Sequence, residues 1–314
     1  MEPAHGTQHG RGETDYIERF ARTPPARIAL LLVTCALTWP LATHAHEAFT
    51  RLRSADLRPV AAAALLHIAM LVASALCWRR AFGACGGAVG RTDACVRYGV
   101  GTFLNAVTPA RAGGAVRVGL FARSLGGEQA VQRSAVALLG IGWVRGAALT
   151  LLVGGAALGG LAPRWLLLAP AVLATAGILT HRRVNAVRTH LRVQDCIALF
   201  GWAALAAACR CASIGAALVA VGVHSPLTAA VIGLVGLELS ALLPLAPGLA
   251  GVGGAAVAVA IAAHGVPTAT AFAGGVAFYV AEAGAGVAFG LVATAVFIAT
   301  WRRAPAGDVP VPVW

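Results

Sequence analysis

Four ionisable side chains stand inside long apolar runs of this sequence: Arg145, Arg210, Glu238 and Glu282. A charge at the centre of a bilayer-spanning helix costs about 2.5–3.5 kcal/mol to insert, so such residues pair, face a bundle interior or line a watery path. Two arginines and two glutamates sum to zero charge. They read either as ion pairs that lock a helix bundle or as the polar lining of a translocation path, and both readings stand. A second group of residues surrounds a short broken segment, Asn105 to Arg117, with Pro109 and Gly113 between. Arginine presents a planar fork that donates two parallel hydrogen bonds to a phosphate. A helix amino terminus following a proline adds free N–H groups that favour an anion. Arg111 and Arg117 are therefore expected to receive a lipid phosphate, with Asn105 as a neutral hydrogen-bonding neighbour. The competing reading makes both arginines interfacial anchors that snorkel to the membrane surface.

Other chemistry is not legible. The sequence holds no H-E-x-x-H, no P-loop and no G-x-S-x-G elbow. No catalytic residue, metal ligand or cofactor is expected, and the chain reads as a non-enzyme. His44-Ala45-His46-Glu47 has the composition of a metal cluster, but no second ligand set stands near it. His67 and His264 are lone residues of the kind usually satisfied in an interior. The seven cysteines lie mostly in apolar stretches and form no CxxC. Cys209 and Cys211 are two apart, which places them on different faces of a helix. Buried structural thiols account for them.

The elements that must position these residues are membrane helices. Of 314 residues, 59% are hydrophobic and 11% charged, and the mean hydropathy is +0.79. Soluble domains carry about 25% charged residues, so an ordinary cytosolic enzyme and a disordered chain are both excluded. A sequence pI near 10.8 reports arginine-rich loops and anionic lipid contacts rather than nucleic acid. All 24 basic residues are arginine. Eight apolar runs are expected to span: Ile28–Phe49, Pro59–Trp78, Ser134–Leu161, Trp165–Thr180, Cys196–Val223, Pro226–Leu245, Leu249–Ala263 and Thr268–Trp301. The stretch between Arg97 and Arg111 is 13 residues long. At helical rise it reaches about 20 Å, against a hydrocarbon thickness of about 30 Å, so it dips in and returns.

The second half carries its own interruption, Leu243 to Gly254, with Pro244, Pro247, Gly248 and Gly251. Interrupted backbone is tolerated at membrane depth only inside protein or beside water, and a Gly/Pro-broken segment in each half points to a transport site between repeats. This interruption could also leave a half-helix, which would change the number of crossings. With both termini on one side, that side collects 18 of the 24 arginines, and the positive-inside bias makes it cytoplasmic. Trp39, Trp78, Trp165 and Trp301 fall near expected span ends, as an interfacial belt would have them, whereas Trp143 and Trp202 read as packing residues.

The two broken segments also carry a family resemblance. The first resembles the signature N-x-x-x-P-x-R-x-G-E-x-x-R of the lysylphosphatidylglycerol synthase transmembrane region, or flippase-like domain, through Asn105, Pro109, Arg111, Gly113 and Arg117. The second resembles the family's P-x-x-P-G-G-x-G-x-x-E through Pro244, Pro247, Gly248 and Gly251. Gly114 and Gly254 stand where the family's glutamates would be, and Val144 and Ala148 where it has acidic residues around an intramembrane arginine. The chain resembles a charge-depleted member.

The resemblance implies handling of lipids between leaflets. The expectation is an all-α polytopic bundle of about eight spans with one or two re-entrant segments. A polar tail over 1–27 precedes a single transmembrane domain over 28–301, and a short tail over 302–314 follows; no soluble aminoacyl-transferring domain is expected there. The expected activity is translocation of a phospholipid or lipid-linked solute in the cell membrane. Its path would be lined by Arg145, Glu238, Pro244, Pro247, Gly248, Gly251 and Glu282. The expected partners are anionic or phosphate-bearing lipids, with a membrane-protein partner or a second copy left open and no nucleic acid. Two alternatives remain: a secondary transporter in which Glu238 or Glu282 carries a coupling proton, and a non-transporting accessory protein.

Overall fold

The computed structural model describes residues 46–107, 113–127, 129–160, 163, 193–242 and 252–301. Among them every regular element is a helix. A short helix over 46–53 is followed by α1 (Leu57–Ala84), α2 (Arg91–Val107), α3 (Gly113–Ala122), α4 (Ala130–Leu158), α5 (Val193–Ala220), α6 (Pro226–Leu242), α7 (Val252–Ala262) and α8 (Thr268–Trp301). The expected helical membrane bundle is what the chain forms. Four helices, α1, α4, α5 and α8, are long and apolar enough to cross a membrane, at 28, 29, 28 and 34 residues. The expected spans at Ile28–Phe49, save its last four residues, and at Trp165–Thr180 lie outside the described residues.

Helix ends follow local chemistry. Asp56 caps α1, its carboxylate accepting from Arg58 N at 2.9 Å. At the far end of α5, Gly222 takes φ +77. The N–H groups of Gly222 and Val223 reach back to Val219 and Leu218 at 3.0 and 3.1 Å, satisfying the last carbonyls.

The short helices pair. Arg97 Nη1 donates to Leu120 O at 2.6 Å, and a Cβ built on Gly101 would meet Arg117 Cβ at 2.9 Å. One built on Gly113 would meet the Asn105 backbone N at 2.7 Å. The pairs 97/120, 101/117 and 105/113 step in opposite directions, so α2 and α3 form an antiparallel hairpin of 17 and 10 residues. At about 26 and 15 Å neither crosses the hydrocarbon, as the length of the apolar run predicted.

The same geometry recurs in the second half, which selects the alternative with two re-entrant segments. A Cβ on Gly233 would lie 3.6 Å from Ile261, one on Gly236 2.6 Å from Ala260, and one on Gly253 2.9 Å from Leu237. Helices α6 and α7, of 17 and 11 residues, are thus the arms of a second hairpin and not two crossing spans. The physical reason is length. The Pro/Gly-rich stretch from 243 to 251 separates two arms each too short to traverse about 30 Å. Replacing two crossings by one out-and-back hairpin leaves the parity of the chain unchanged.

Both hairpins lie on α8. Gly99 approaches Phe289, Thr102 approaches Gly286, and Phe103 approaches Gly290, while Gly254 approaches Tyr279 and Gly275 approaches Ala258. Helices α2 and α7 both run antiparallel to α8, one along its carboxyl half and the other along its amino half. The hairpins therefore enter from opposite ends of the bundle, and the inner ends of α2 and α7 converge near the middle of α8. Helices α1 and α5 form the central antiparallel pair, tied by Ser213 Oγ donating to Ala63 O at 2.8 Å. Two larger apolar cores, beside a small one at Val153, Ala157 and Val231, follow from this plan among the described residues. One gathers Ile214, Leu218, Leu234, Val257, Ile261 and Phe278, and the other packs Phe82, Tyr98, Phe121 and Leu199.

Candidate functional site

The four intramembrane charges meet in one place. Arg145 of α4 donates through Nη2 to both Glu238 oxygens, at 2.8 and 3.0 Å. Arg210 of α5 stands between the two carboxylates: Nη1 lies 3.2 Å from Glu238 Oε1 and Nη2 lies 3.2 Å from Glu282 Oε1. The sequence left open whether these charges form two separate pairs. They form a single chain, Arg145–Glu238–Arg210–Glu282, across α4, α6, α5 and α8. Arg210, which the sequence marked as ionisable but did not assign to the path, is its hub.

Each side chain is placed by a distinct element. Glu238 sits in the last turn and a half of α6, close to the turn of the second hairpin. Glu282 stands near the middle of α8, where the two hairpins converge. Its second oxygen lies 3.7 Å from the Cβ position of Gly253, the second residue of α7. A carboxylate there faces the positive end of the α7 dipole and its free N–H groups. The network is not sealed: Glu238 and Glu282 keep 24% and 25% of their side-chain surface open, and Arg145 keeps 51%.

His67 of α1 adds a fifth group that sequence reading set aside. Its Nε2 is 4.0 Å from Glu282 Oε1, and Nδ1 is buried without a hydrogen-bond partner. A lone histidine in an apolar run gives no sequence signal of this neighbour, which arrives from α8, more than two hundred residues away.

In the first broken segment, Arg117 does not take the place that the competing anchor reading gave it. Arg117 does not snorkel outward. Its guanidinium lies 3.8 Å from the Tyr98 ring centre and 5.6 Å from that of Trp78, Nη2 donates to Thr102 Oγ1 at 3.2 Å, and Nε is buried without a partner. Among the described residues no carboxylate neutralises it. Trp78, near the end of α1, packs on Phe82, Tyr98 and Phe121, with ring centres 5.4–6.0 Å away. Trp143, expected to pack, is 39% exposed on α4.

Asn105 and Gly113 face each other across the first hairpin, beside a still closer approach of Gly113 to the Gly101 carbonyl. Pro109, Arg111, Pro244, Pro247, Gly248 and Gly251 lie outside the described residues. No grouping of three metal-ligating side chains occurs among the described residues. All six described cysteines are free, and Cys196 is exposed rather than buried.

A family model described as the lysylphosphatidylglycerol synthase TM region matches residues 27–290. The chain belongs to this family. No curated protein matches the chain. It is an integral membrane protein, and the match takes in both hairpins and all five members of the charged cluster. Within that frame a Cβ added at Gly114 would meet no atom within 4 Å, so a longer side chain has room there. Gly254 is the reverse: a Cβ would stand 2.6 Å from Gly275 O and 3.0 Å from Tyr279 Cβ. The missing second glutamate is thus a close helix crossing in this member.

Proposed function

We propose that this protein moves phosphate-bearing lipid headgroups, or lipid-linked solutes, between the leaflets of the cell membrane. The observation that carries the reading is the convergence of two hairpins, inserted from opposite ends of the bundle, on one charged cluster at the middle of α8. Broken helices meeting near the midplane are the architecture in which a fixed site is exposed alternately to each side. The arginine-rich end, with Arg79, Arg80, Arg91, Arg97, Arg123 and Arg133, faces the cytoplasm in this reading, and Arg51, Arg53 and Arg58 lie at the other.

A headgroup phosphate arriving from the cytoplasmic leaflet first meets Arg117, whose charge has no acidic partner among the described residues, together with Arg111. It then passes to Arg145 and Arg210, which exchange carboxylate for phosphate without changing the type of hydrogen bond they make. Glu238 and Glu282 take the arginines back when the headgroup leaves. The acyl chains stay in lipid throughout.

Vesicles reconstituted with the protein and a trace of fluorescent phosphatidylglycerol test the reading. Arg145→Gln should slow transbilayer movement of the probe at least about tenfold, the size of effect expected from losing one charge-assisted phosphate contact of about 1.5–3 kcal/mol. A wild-type protein that moves no probe would refute it. One observation favours an accessory role instead: the four charges neutralise one another completely, which suits a static lock. Unchanged structure with no transport by any variant would support that reading.

A further inference from the structure

His67 is 3% exposed near the middle of α1, and the Glu282 carboxylate approaches its ring at 4.0 Å. Glu282 Oε1 is shared. Arg210 Nη2 reaches it at 3.2 Å and His67 Nε2 at 4.0 Å, so guanidinium and imidazole are rivals for a single acceptor. On the two side chains that approach this oxygen, His67 Nδ1 and Arg210 Nε are buried without partners. Of the helices packed against α1, α5 brings Arg210 and α8 brings Glu282 to the ring. Other titratable side chains on the helices packed against α1 include Cys209 and Cys211 of α5, Tyr279 of α8, Arg145 of α4, Tyr98 of α2 and Arg117 of α3.

Charge neutrality makes this rivalry consequential. With the imidazole neutral, Arg145, Arg210, Glu238 and Glu282 sum to zero, and no positive charge is left for an anionic headgroup. A phosphate that draws Arg210 away from Glu282 strands a carboxylate at low dielectric, which is strongly unfavourable. One proton resolves the conflict. With the neutral ring's hydrogen on Nε2, the nitrogen nearer Glu282, the Nδ1 lone pair stands open. Protonated there, the imidazolium donates from Nε2 to Glu282 in place of Arg210. The guanidinium then offers Nη2 and its unpartnered Nε as a two-pronged face for the phosphate.

We infer that His67 is a proton-binding site loaded as an anionic headgroup binds Arg210 and emptied as the headgroup leaves, so that one proton crosses with each single negative charge. The inference rests on the lipid-translocation reading and names its energy source. The proton comes from water on the side of loading, resides on Nδ1, and returns to water on the side of release. The ion chain is restored and no bond beyond N–H changes.

Vesicles carrying trace fluorescent phosphatidylglycerol (net charge −1) or phosphatidylcholine (net zero), assayed by albumin back-extraction at pH 7.5 and 5.5, test it. With wild-type protein, phosphatidylglycerol movement should quicken on acidification by up to about tenfold per pH unit, the limit for one obligatory proton. An imposed pH gradient should accumulate the probe in the leaflet facing the alkaline side. In His67→Gln the two pH values should give rates within about twofold of each other. Should that variant fold poorly, nitrogen NMR of histidine-labelled wild-type protein serves instead. The His67 ring should gain a proton when dihexanoyl phosphatidylglycerol is added.

Wild-type movement that ignores pH, a His67→Gln protein that keeps the full response, or a ring that stays neutral with lipid bound overturns the proton site and leaves lipid translocation standing. Equal proton dependence for phosphatidylcholine overturns the pairing of proton with anion. A wild-type protein that moves neither probe overturns both readings.

Discussion

Arg210 touches both carboxylates of the cluster, so its loss differs in kind from the loss of either end. Arg210→Gln leaves Glu282 facing only a neutral imidazole and leaves Glu238 with Arg145 alone. Breaking a largely buried ion pair on one side costs about 3–5 kcal/mol. Arg210→Gln should therefore lower stability in detergent by about 3 kcal/mol, while Arg210→Gln with Glu282→Gln together should recover a substantial part of it. Denaturation of the three proteins in a common detergent checks this, and additive losses would contradict a shared network. Arg117 makes a contrasting case. Its charge sits over Tyr98 rather than against a carboxylate, and a cation over an aromatic ring is worth about 0.5–2 kcal/mol. Tyr98→Leu should thus destabilise modestly and weaken phosphate binding, measured by titration with a short-chain phosphatidylglycerol. Four of the five cluster members were legible as charges in apolar runs. Their partnering was not, because it depends on helix rotation. His67 was invisible, since one histidine carries no periodicity that announces a neighbour from another helix.

At the scale of helices, close crossing at small residues governs the packing, as expected where lipid removes the hydrophobic drive between helices. Gly254 and Gly275 meet so closely that any side chain at either must push α7 off α8, whereas Gly114 opens into free space. The two positions where the family signature carries glutamate therefore behave oppositely on restoration. Gly114→Glu should fold and keep its stability within about 0.5 kcal/mol, the usual range for an unhindered substitution. Gly254→Glu should cost at least about 2–3 kcal/mol through overpacking and a buried charge, and should yield little folded protein. Size-exclusion profiles and denaturation midpoints of the two variants distinguish the outcomes. Equal tolerance would mean that α7 and α8 separate readily. The helices themselves were legible from hydropathy, with α1, α4, α5 and α8 falling within a few residues of expectation. The second hairpin was legible only as one of two alternatives. Its arms are apolar but for Glu238 and two hydroxyls, and the apolar run-in at 249–251 extends α7 to a plausible span.

Across the whole molecule, two halves repeat with inverted sense. Helix α1, a hairpin and α4 make one unit, and α5, a hairpin and α8 the other. Their lengths are 28, 17, 10 and 29 residues against 28, 17, 11 and 34. Because α1 and α5 are antiparallel, the second unit is upside down relative to the first. Arg145 lies 15 residues into α4 and Glu282 lies 14 into α8, so near-equivalent places in the two units carry opposite charges. Single-sequence patterning pointed to a broken segment in each half but not to the inversion, which is a property of chain direction rather than composition. The inversion has a direct chemical consequence. The base of the first hairpin, at Arg123, and that of the second, at Ala263, should face opposite sides of the membrane. In a protein freed of its native cysteines, Arg123→Cys should react with an impermeant maleimide only from the cytoplasmic face, and Ala263→Cys only from the other. Labelling in right-side-out and inverted vesicles reads this directly, and labelling of both from one face would refute the inverted arrangement. Substitutions near the turns carry the mechanism further. In the same background Asn105→Cys and Ser240→Cys lie near the converging ends, where alternate exposure makes their reactivity depend on state. Saturating short-chain phosphatidylglycerol should raise labelling of one and lower labelling of the other by several-fold, because a site open to one side is closed to the other. Parallel changes at both positions would mean that the hairpins open together, as a pore would, and not in turn.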